Sequence, residues 1–255
     1  MSWASSYAEN GFAVVREAVI PEDLVSRAVD GQELLRHGGN DTGTPHAGTS
    51  GDPSRQDVLV KIEQPQLGSS AIRELIAHPN LGKWALDITG AEWVQAWWVQ
   101  LLVKPSGSAL KANVGWHQDK YYWGDWEPDS ELFTAWVALT DVGDDCGPMS
   151  FLRGSHRWGF LNQGDFFGQD LESLRSSIAL PEGAVWDGVS GTLPKGGVSF
   201  HDSLTFHGSG ANTSGFPRRS FAVHMRTNRS RPVGDRRSGL TTYIDDESIC
   251  PIWRR

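Results

Sequence analysis

The sequence predicts a mainly β protein with helices gathered at its N-terminal end, an α+β chain whose core is a β-sandwich or jelly roll. Three observations predict it. From Trp93 onward, segments rich in β-branched and aromatic residues recur between Gly and Pro clusters. Helical spacing of apolar residues is confined to the part before that point. The chain also carries 29 glycines and 12 tryptophans among 255 residues, which suits a turn-rich β architecture around an aromatic-lined cavity. No change of composition marks an internal boundary, and a chain of this size can bury about three quarters of its unfolded surface in one core. The expectation is one domain over 1–255, with residues 1–92 as mostly helical support and residues 93–255 as the β core.

Taken in order, VIPEDLVSRAVDGQELLRHGG opens a helix near Pro21, with Glu22 and Asp23 in the first turn, and stops it at Gly38-Gly39. Leu24, Val25, Ala28 and Val29 recur at helical spacing. The polar, Gly-rich stretch Gly38 to Arg55 reads as a linker or an active-site lid. SSAIRELIAHPNLGKWALDITG reads as two short helices broken at Pro79 and ending near Gly90. The strand-like segments follow: WVQAWWVQLLVK, LFTAWVALTDV, MSFLRGS, GGVSFHDSLTFHG and RSFAVHMRT.

Composition excludes several functions. A net charge of −8 and a pI near 5.4 argue against a nucleic-acid surface, which needs clustered Lys and Arg. The one basic run, Arg226 to Arg237, is broken by Pro, Gly and Asp and reads as a solvated loop. Cys146 and Cys250 give neither a disulfide framework nor zinc-ligand spacing, so a reducing compartment, the cytoplasm, is expected. MSWASSYAENG lacks the features of a secretory signal. No apolar run reaches the length of about 18 residues that a membrane span requires. A small molecule is the expected partner.

The stretch GWHQDKYYWGDW, Gly115 to Trp126, sets His117 and Asp119 among five tyrosines and tryptophans. The bland alternative is a solvated turn beside core aromatics, and an HxD spacing is common by chance. On an extended segment, however, side chains two apart project from one face. Two histidines and one carboxylate with open positions beside them are the ligand set of non-haem Fe(II) oxygenases. Of the eight histidines, His37, His46 and His78 fall in or beside loops and helix ends, and His156 in a turn-like segment. His201, His207 and His224 lie on the late strands. His207 is followed by a polar, Gly-rich segment and then Arg218 and Arg219, a suggestive grouping because a guanidinium holds a carboxylate at fixed geometry.

Together WHQD, TAWVALTDV, GPMSFLRGSHRWG and HGSGANTSGFPRRS resemble, in chain order, the phytanoyl-CoA dioxygenase family of Fe(II)- and 2-oxoglutarate-dependent oxygenases. The likeness runs from about Trp93 to the C-terminal CPIW and is looser before it. It implies a double-stranded β-helix, a jelly-roll form related to the cupins. It implies Fe(II), 2-oxoglutarate and O2, with His117, Asp119 and His207 as iron ligands. Arg218 and Ser209 match the residues that take the far carboxylate of 2-oxoglutarate. Gln100 matches a glutamine near the co-substrate, Trp136 and Thr134 lie on the strand lining its pocket, and Lys61 falls where some members place a lysine. Alternation along the strand puts Arg218, Ser220, Ala222 and His224 on one small, polar face and Arg219, Phe221, Val223 and Met225 on the other, so Arg218 is the anchor and Arg219 snorkels outward.

The chain departs from relatives at Cys146-Gly147, where they commonly have Asn-Gly. Asp119 is the carboxylate that halogenating relatives lose, so its presence argues for oxygenation. By strand parity Tyr121 and Trp123 continue the His117 face and become substrate contacts. The implied reaction is hydroxylation of an unactivated C–H bond of a small molecule with release of succinate and CO2. Desaturation, cyclisation or demethylation are alternative outcomes, and a metalloenzyme of the same fold that does not use 2-oxoglutarate is the alternative class. The absence of a basic cluster argues against a CoA thioester.

Overall fold

Short β-rich segments bounded by turn residues assemble here into two antiparallel sheets, with five helices packed against them. The computed structural model describes residues 2–55, 57–107 and 112–255. The order is α1 (Trp3–Asn10), β1 (Phe12–Val15), α2 (Glu22–Arg36), β2 (Gly48–Ser50), β3 (Val60–Glu63), α3 (Ser70–Ile76), α4 (Pro79–Thr89), β4 (Trp93–Lys104), β5 (Val114–His117), β6 (Leu132–Ala138), β7 (Met149–Leu152), α5 (Leu171–Ser177), β8 (Gly188–Gly191), β9 (Val198–Asp202), β10 (His207–Ser209), β11 (Arg218–Thr227) and β12 (Ile252–Arg254).

The helices end where their sequence stops them. α2 follows Pro21, carries Glu22 and Asp23 at its positive end, and gives way to Gly38 at φ 77°. Pro79 starts α4 beside the capping His78, and Gly90 ends it in the left-handed region. The apolar faces of α2 and α3 cover the larger sheet.

That sheet has the order β1-β9-β6-β11-β4-β3-β2, with β12 also on β4. β4 is 12 residues long, enough for β12 to pair with its start and β3 with its later half along the same edge. The smaller sheet has the order β5-β10-β7-β8. Alternation decides the layers. Phe221, Val223 and Met225 of β11 join Phe133, Val137 and Phe200 in the core beneath the helices. Ala222 joins Trp136, Met149 and Phe151 in a second core between the sheets. Arg218 and His224 share that inner side. Arg219 turns to the helical side as expected, but instead of reaching solvent it pairs with Glu33 of α2 at 2.7 Å.

Three expectations change. Residues 1–92 are not only helical: β1 extends the larger sheet at one end, and β2 and β3 at the other. Val60 and Ile62 are buried and Lys61 and Glu63 are not, a strand alternation too short to register as periodicity. The stretch Gly38 to Arg55 holds β2, paired with β3, so part of it is sheet. GGVSFHDSLTFHG is two strands, because the chain leaves the larger sheet after Asp202 and enters the smaller one at His207.

Candidate active site

The two sheets face each other across rungs of paired residues, and the site is built from those rungs. On the smaller sheet His117 and His207 are direct partners, their rings 4.1 Å apart. On the larger sheet His224, Thr134 and His201 form one rung, with Gln100, Ala222 and Trp136 forming the next. Arg218 and Lys104 form another toward the strand ends.

The strand carrying His117 stops there, and Asp119 opens a 3-10 turn over Asp119–Tyr122. Gln118, between them, keeps an extended backbone (φ −109°, ψ 130°), so His117 and Asp119 still project to one side, as the spacing predicts. Gln118 is fully buried, with its side-chain amide donating to the carbonyls of Gly159 (2.8 Å) and Leu204 (2.7 Å) and accepting from Leu161 N–H (2.9 Å). With the middle residue drawn one way, its neighbours turn to the other side.

Ligand atoms of His117, Asp119 and His207 all lie within 4.8 Å of one another, and all three residues are buried. Each histidine has its Nδ1 against the carbonyl two residues earlier, at 2.8 Å to Gly115 and 3.0 Å to Thr205. A carbonyl only accepts, so Nδ1 carries the proton and the Nε2 lone pair is left for a metal. The Nε2 atoms stand 3.5 and 3.7 Å from Asp119 Oδ1. Burial alone would raise the Asp119 pKa, but His207, His117 and His201 outweigh it and hold the carboxyl well below its usual value. Burial, with His117 and His201 nearby, pushes His207 well below its ordinary value. Two neutral imidazoles and a carboxylate fit a divalent iron.

The other carboxylate oxygen is held from behind. Thr134 donates its hydroxyl to Asp119 Oδ2 at 2.8 Å and accepts from His224 Nδ1 at 2.8 Å. His201 Nε2 lies 3.3 Å from the same oxygen, and neither of its ring nitrogens has a hydrogen-bond partner among the described residues. Thr134, expected on the co-substrate wall, lines the inner cavity and also positions Asp119.

A cavity runs from the triad to Arg218, walled by Gln100, Leu102, Trp136, Met149 and Ala222. Arg218 is 1 % exposed. Its NH1 donates to Gly147 O, its guanidinium lies over Trp136 at 5.0 Å, and its Nε has no partner. Lys104, fully buried, donates to Ser209 Oγ (2.7 Å), Ser209 O (3.2 Å) and Gly210 O. Neither cation forms an ion pair with a carboxylate among the described residues. Burial lowers Arg218 to about 10, and burial together with Arg218 pushes Lys104 well below its ordinary value. Two buried cations without an acid are costly unless an anion joins them. Ser209 stands behind the cavity wall; Lys104 occupies its oxygen and leaves its hydrogen free to donate.

A second cavity shares Gln100, Asp119, Phe166 and His224 with the first and adds Lys61, Tyr122, Trp123 and Phe167. Lys61 is thus apart from Arg218, at the outer end, paired with Glu63 at 3.1 Å. Gln100 reaches the same Glu63 at 3.4 Å. Trp123 is buried there, edge-on to His224 at 4.8 Å. Tyr121 lines neither cavity and is 50 % exposed, because the 3-10 turn breaks the parity that placed it inside; Tyr122 lines the wall instead. Sequence reasoning missed Gln118, Lys104, Phe166 and the rung of His201 and His224. For His224 the face it shares with Arg218 was a signal; for Lys104 there was none.

Residues 7–220 match the family model described as Phytanoyl-CoA dioxygenase (PhyH). The chain belongs to the phytanoyl-CoA dioxygenase family. Within it, the chain is 26 % identical over 227 residues to ectoine dioxygenase of Bordetella parapertussis, covering 84 % of this chain and 70 % of that one. It is 24 % identical to peroxisomal phytanoyl-CoA dioxygenase of Rattus norvegicus, covering 86 % and 65 %. Among solved structures it resembles the epimerase SnoN in complex with Fe3+, alpha ketoglutarate and nogalamycin RO, with a TM-score of 0.69, 25 % identity, and 91 % and 86 % coverage. The carbocyclase SnoK from nogalamycin biosynthesis shares the fold at a TM-score of 0.70 and 22 % identity, with 94 % and 95 % coverage.

Proposed function

We propose that this chain is an Fe(II)- and 2-oxoglutarate-dependent dioxygenase that hydroxylates an unactivated C–H bond of a small molecule and releases succinate and CO2. One observation carries the reading: the open His117, Asp119, His207 set and the acid-free Arg218 line a single cavity. A cupin-like metalloenzyme that ignores 2-oxoglutarate has no use for a buried guanidinium facing its metal. Family membership and the likeness to an iron- and alpha-ketoglutarate-bound epimerase support the same cofactors. In this reading the two sheets are a double-stranded β-helix in one catalytic domain. Two unpaired, buried cysteines support a reducing, cytoplasmic setting, and among the described residues no helix is long and apolar enough to cross a membrane.

His117, Asp119 and His207 would hold the iron, which with 2-oxoglutarate and O2 supplies an oxidant able to take hydrogen from carbon. Arg218 binds the far carboxylate, with Trp136 packed against its guanidinium and Lys104 adding charge through Ser209. Thr134 and His224 fix one oxygen of Asp119 and leave the other toward the metal. The apolar wall of Leu102, Val114, Met149 and Ala222 excludes water. A second outcome has support in the match to an epimerase: inversion at a carbon centre in place of hydroxylation.

Anaerobic addition of Fe(II) and 2-oxoglutarate should give a visible metal-to-ligand charge-transfer band in the wild type. Asp119→Ala should abolish it, and Arg218→Ala should raise the 2-oxoglutarate concentration needed by at least about tenfold, which is about 1.4 kcal/mol. Iron binding without any band would move the cupin-like alternative to first place.

A further inference from the structure

A row of aromatic rings leads out of the site. Phe166 lies 5.2 Å from the His117 ring, and Phe167 lies 5.0 Å from Phe166. On the other side Tyr122 lies 6.0 Å from His117, Tyr121 is 4.9 Å beyond it, and Phe160 is 6.5 Å beyond that. Nine large hydrophobic residues are exposed among the described ones, and four of them, Tyr121, Tyr122, Phe160 and Phe167, belong to this row. Tyr122 and Phe167 line the outer cavity, and Tyr121 and Phe160 continue the row beyond its edge, a grouping that scattered single exposures would not give.

The segments bearing the rings are pinned. Tyr122 Oη accepts Phe166 N–H at 2.9 Å. Gly115 N–H donates to Phe166 O, and Asp165 N–H to Trp116 O, both at 3.0 Å. Asp165 Oδ1 is taken by Phe167 N–H at 2.9 Å. The Gln118 amide ties Gly159 and Leu161 to the turn. These rings are exposed by construction.

The charge at the mouth is already balanced. Lys61 sits over Phe166 at 5.0 Å and Phe167 at 5.7 Å, and Glu63 neutralises it. Among the described residues no unpaired cation stands there for a phosphorylated or CoA-linked substrate, and a small zwitterion would leave the rings in water. A third cavity shares Lys61, Phe166 and Phe167 with the second, so the space continues beyond it.

Building on the oxygenase reading above, we propose that the substrate is a neutral, mainly apolar ring system that stacks along these aromatics and presents one C–H bond to the metal centre. The test is equilibrium dialysis of the protein, loaded anaerobically with Fe(II) and 2-oxoglutarate, against 9-anthracenemethanol, followed by the fluorescence of the probe. Glycine betaine serves as the small zwitterion. The wild type should retain the tricycle, Phe160→Ser should retain less, and the Tyr121→Ser, Phe160→Ser, Phe167→Ser triple variant at least tenfold less. Equal retention by wild type and Phe160→Ser and triple variants, or preference for glycine betaine, would overturn the proposal. The same dialysis on metal-free protein reads the rings alone. Loss of the charge-transfer band in the wild type would therefore count against the iron and 2-oxoglutarate reading and not against this one.

Discussion

Lys104 shows how much of the site depends on single residues that look unremarkable in the sequence. Its ammonium occupies three oxygens of Ser209 and Gly210, and its charge stands beside Arg218 with no acid to balance either. Lys104→Met should weaken 2-oxoglutarate about tenfold, about 1.4 kcal/mol, in titrations of the charge-transfer band, because it removes a positive charge and the group that orients the Ser209 hydroxyl. Asp202 offers a second prediction at this scale. Burial, opposed by the Leu204 N–H, raises its carboxyl to about 6 in the folded protein. A raised carboxyl pKa means the folded state holds the proton more tightly, so stability falls as pH rises from about 3.8 through 6. Asp202→Asn should melt at a higher temperature than the wild type at pH 7.5, and the gain should shrink toward pH 4.5. His117, Asp119, His207 and Arg218 could be named from the sequence because each sits in a motif or on a strand face of fixed parity. Lys104 could not, because nothing local says that a lysine ending a strand will be fully buried.

At the scale of elements, β11 was legible and the turn after β5 was not. Alternation of small or polar with apolar side chains identifies the inner and outer faces of β11 in advance, although both faces are largely buried. β5 spans Val114–His117, and the next residues obey contacts from distant parts of the chain. Gln118 decides that turn through Gly159, Leu161 and Leu204, none of which is near it in sequence. Tyr121 was misplaced for the same reason. Gln118→Ala leaves two carbonyls and one N–H without partners in a buried site, so it should cost about 2–4 kcal/mol in urea unfolding. It should also weaken iron binding, since His117 and Asp119 lose the constraint that turns them together. A variant that destabilises the fold and binds iron as before would refute that role. GGVSFHDSLTFHG teaches the same lesson: one apolar run can serve two sheets, and only long-range pairing reveals where it changes over.

Across the whole molecule, the prediction of a mainly β core with N-terminal helices agrees with the structure, and residues 1–92 hold mostly helices but also three short strands that no local pattern announced. β1 and β3 are short strands whose pairing partners lie far along the chain, β9 for β1 and β4 for β3, and β2 pairs only with β3, so no local pattern could place them. The layering separates stability from function in a way that can be measured. Phe221 lies in the core under the helices, so Phe221→Ala should cost about 3–5 kcal/mol of stability and leave 2-oxoglutarate affinity nearly unchanged in the protein that remains folded. Ala222, its neighbour, lines the inner cavity. Ala222→Leu should fill that space and abolish the charge-transfer band, with a melting temperature close to that of the wild type.

The rungs that make the site belong to different sheets: His117 and His207 to the smaller, Arg218 to the larger. Whatever spans from the triad to Arg218 therefore rivets two layers that otherwise touch only through side chains. A ligand bound at a hundred times its dissociation constant adds about 2.7 kcal/mol to the folded state. Withdrawing iron or the keto acid removes the rivet, and the unfolded fraction rises by about a hundredfold. Starvation for either would then lower the amount of this protein through proteolysis as well as stop its chemistry, so the cell's supply of cofactor would be written into the lifetime of the chain.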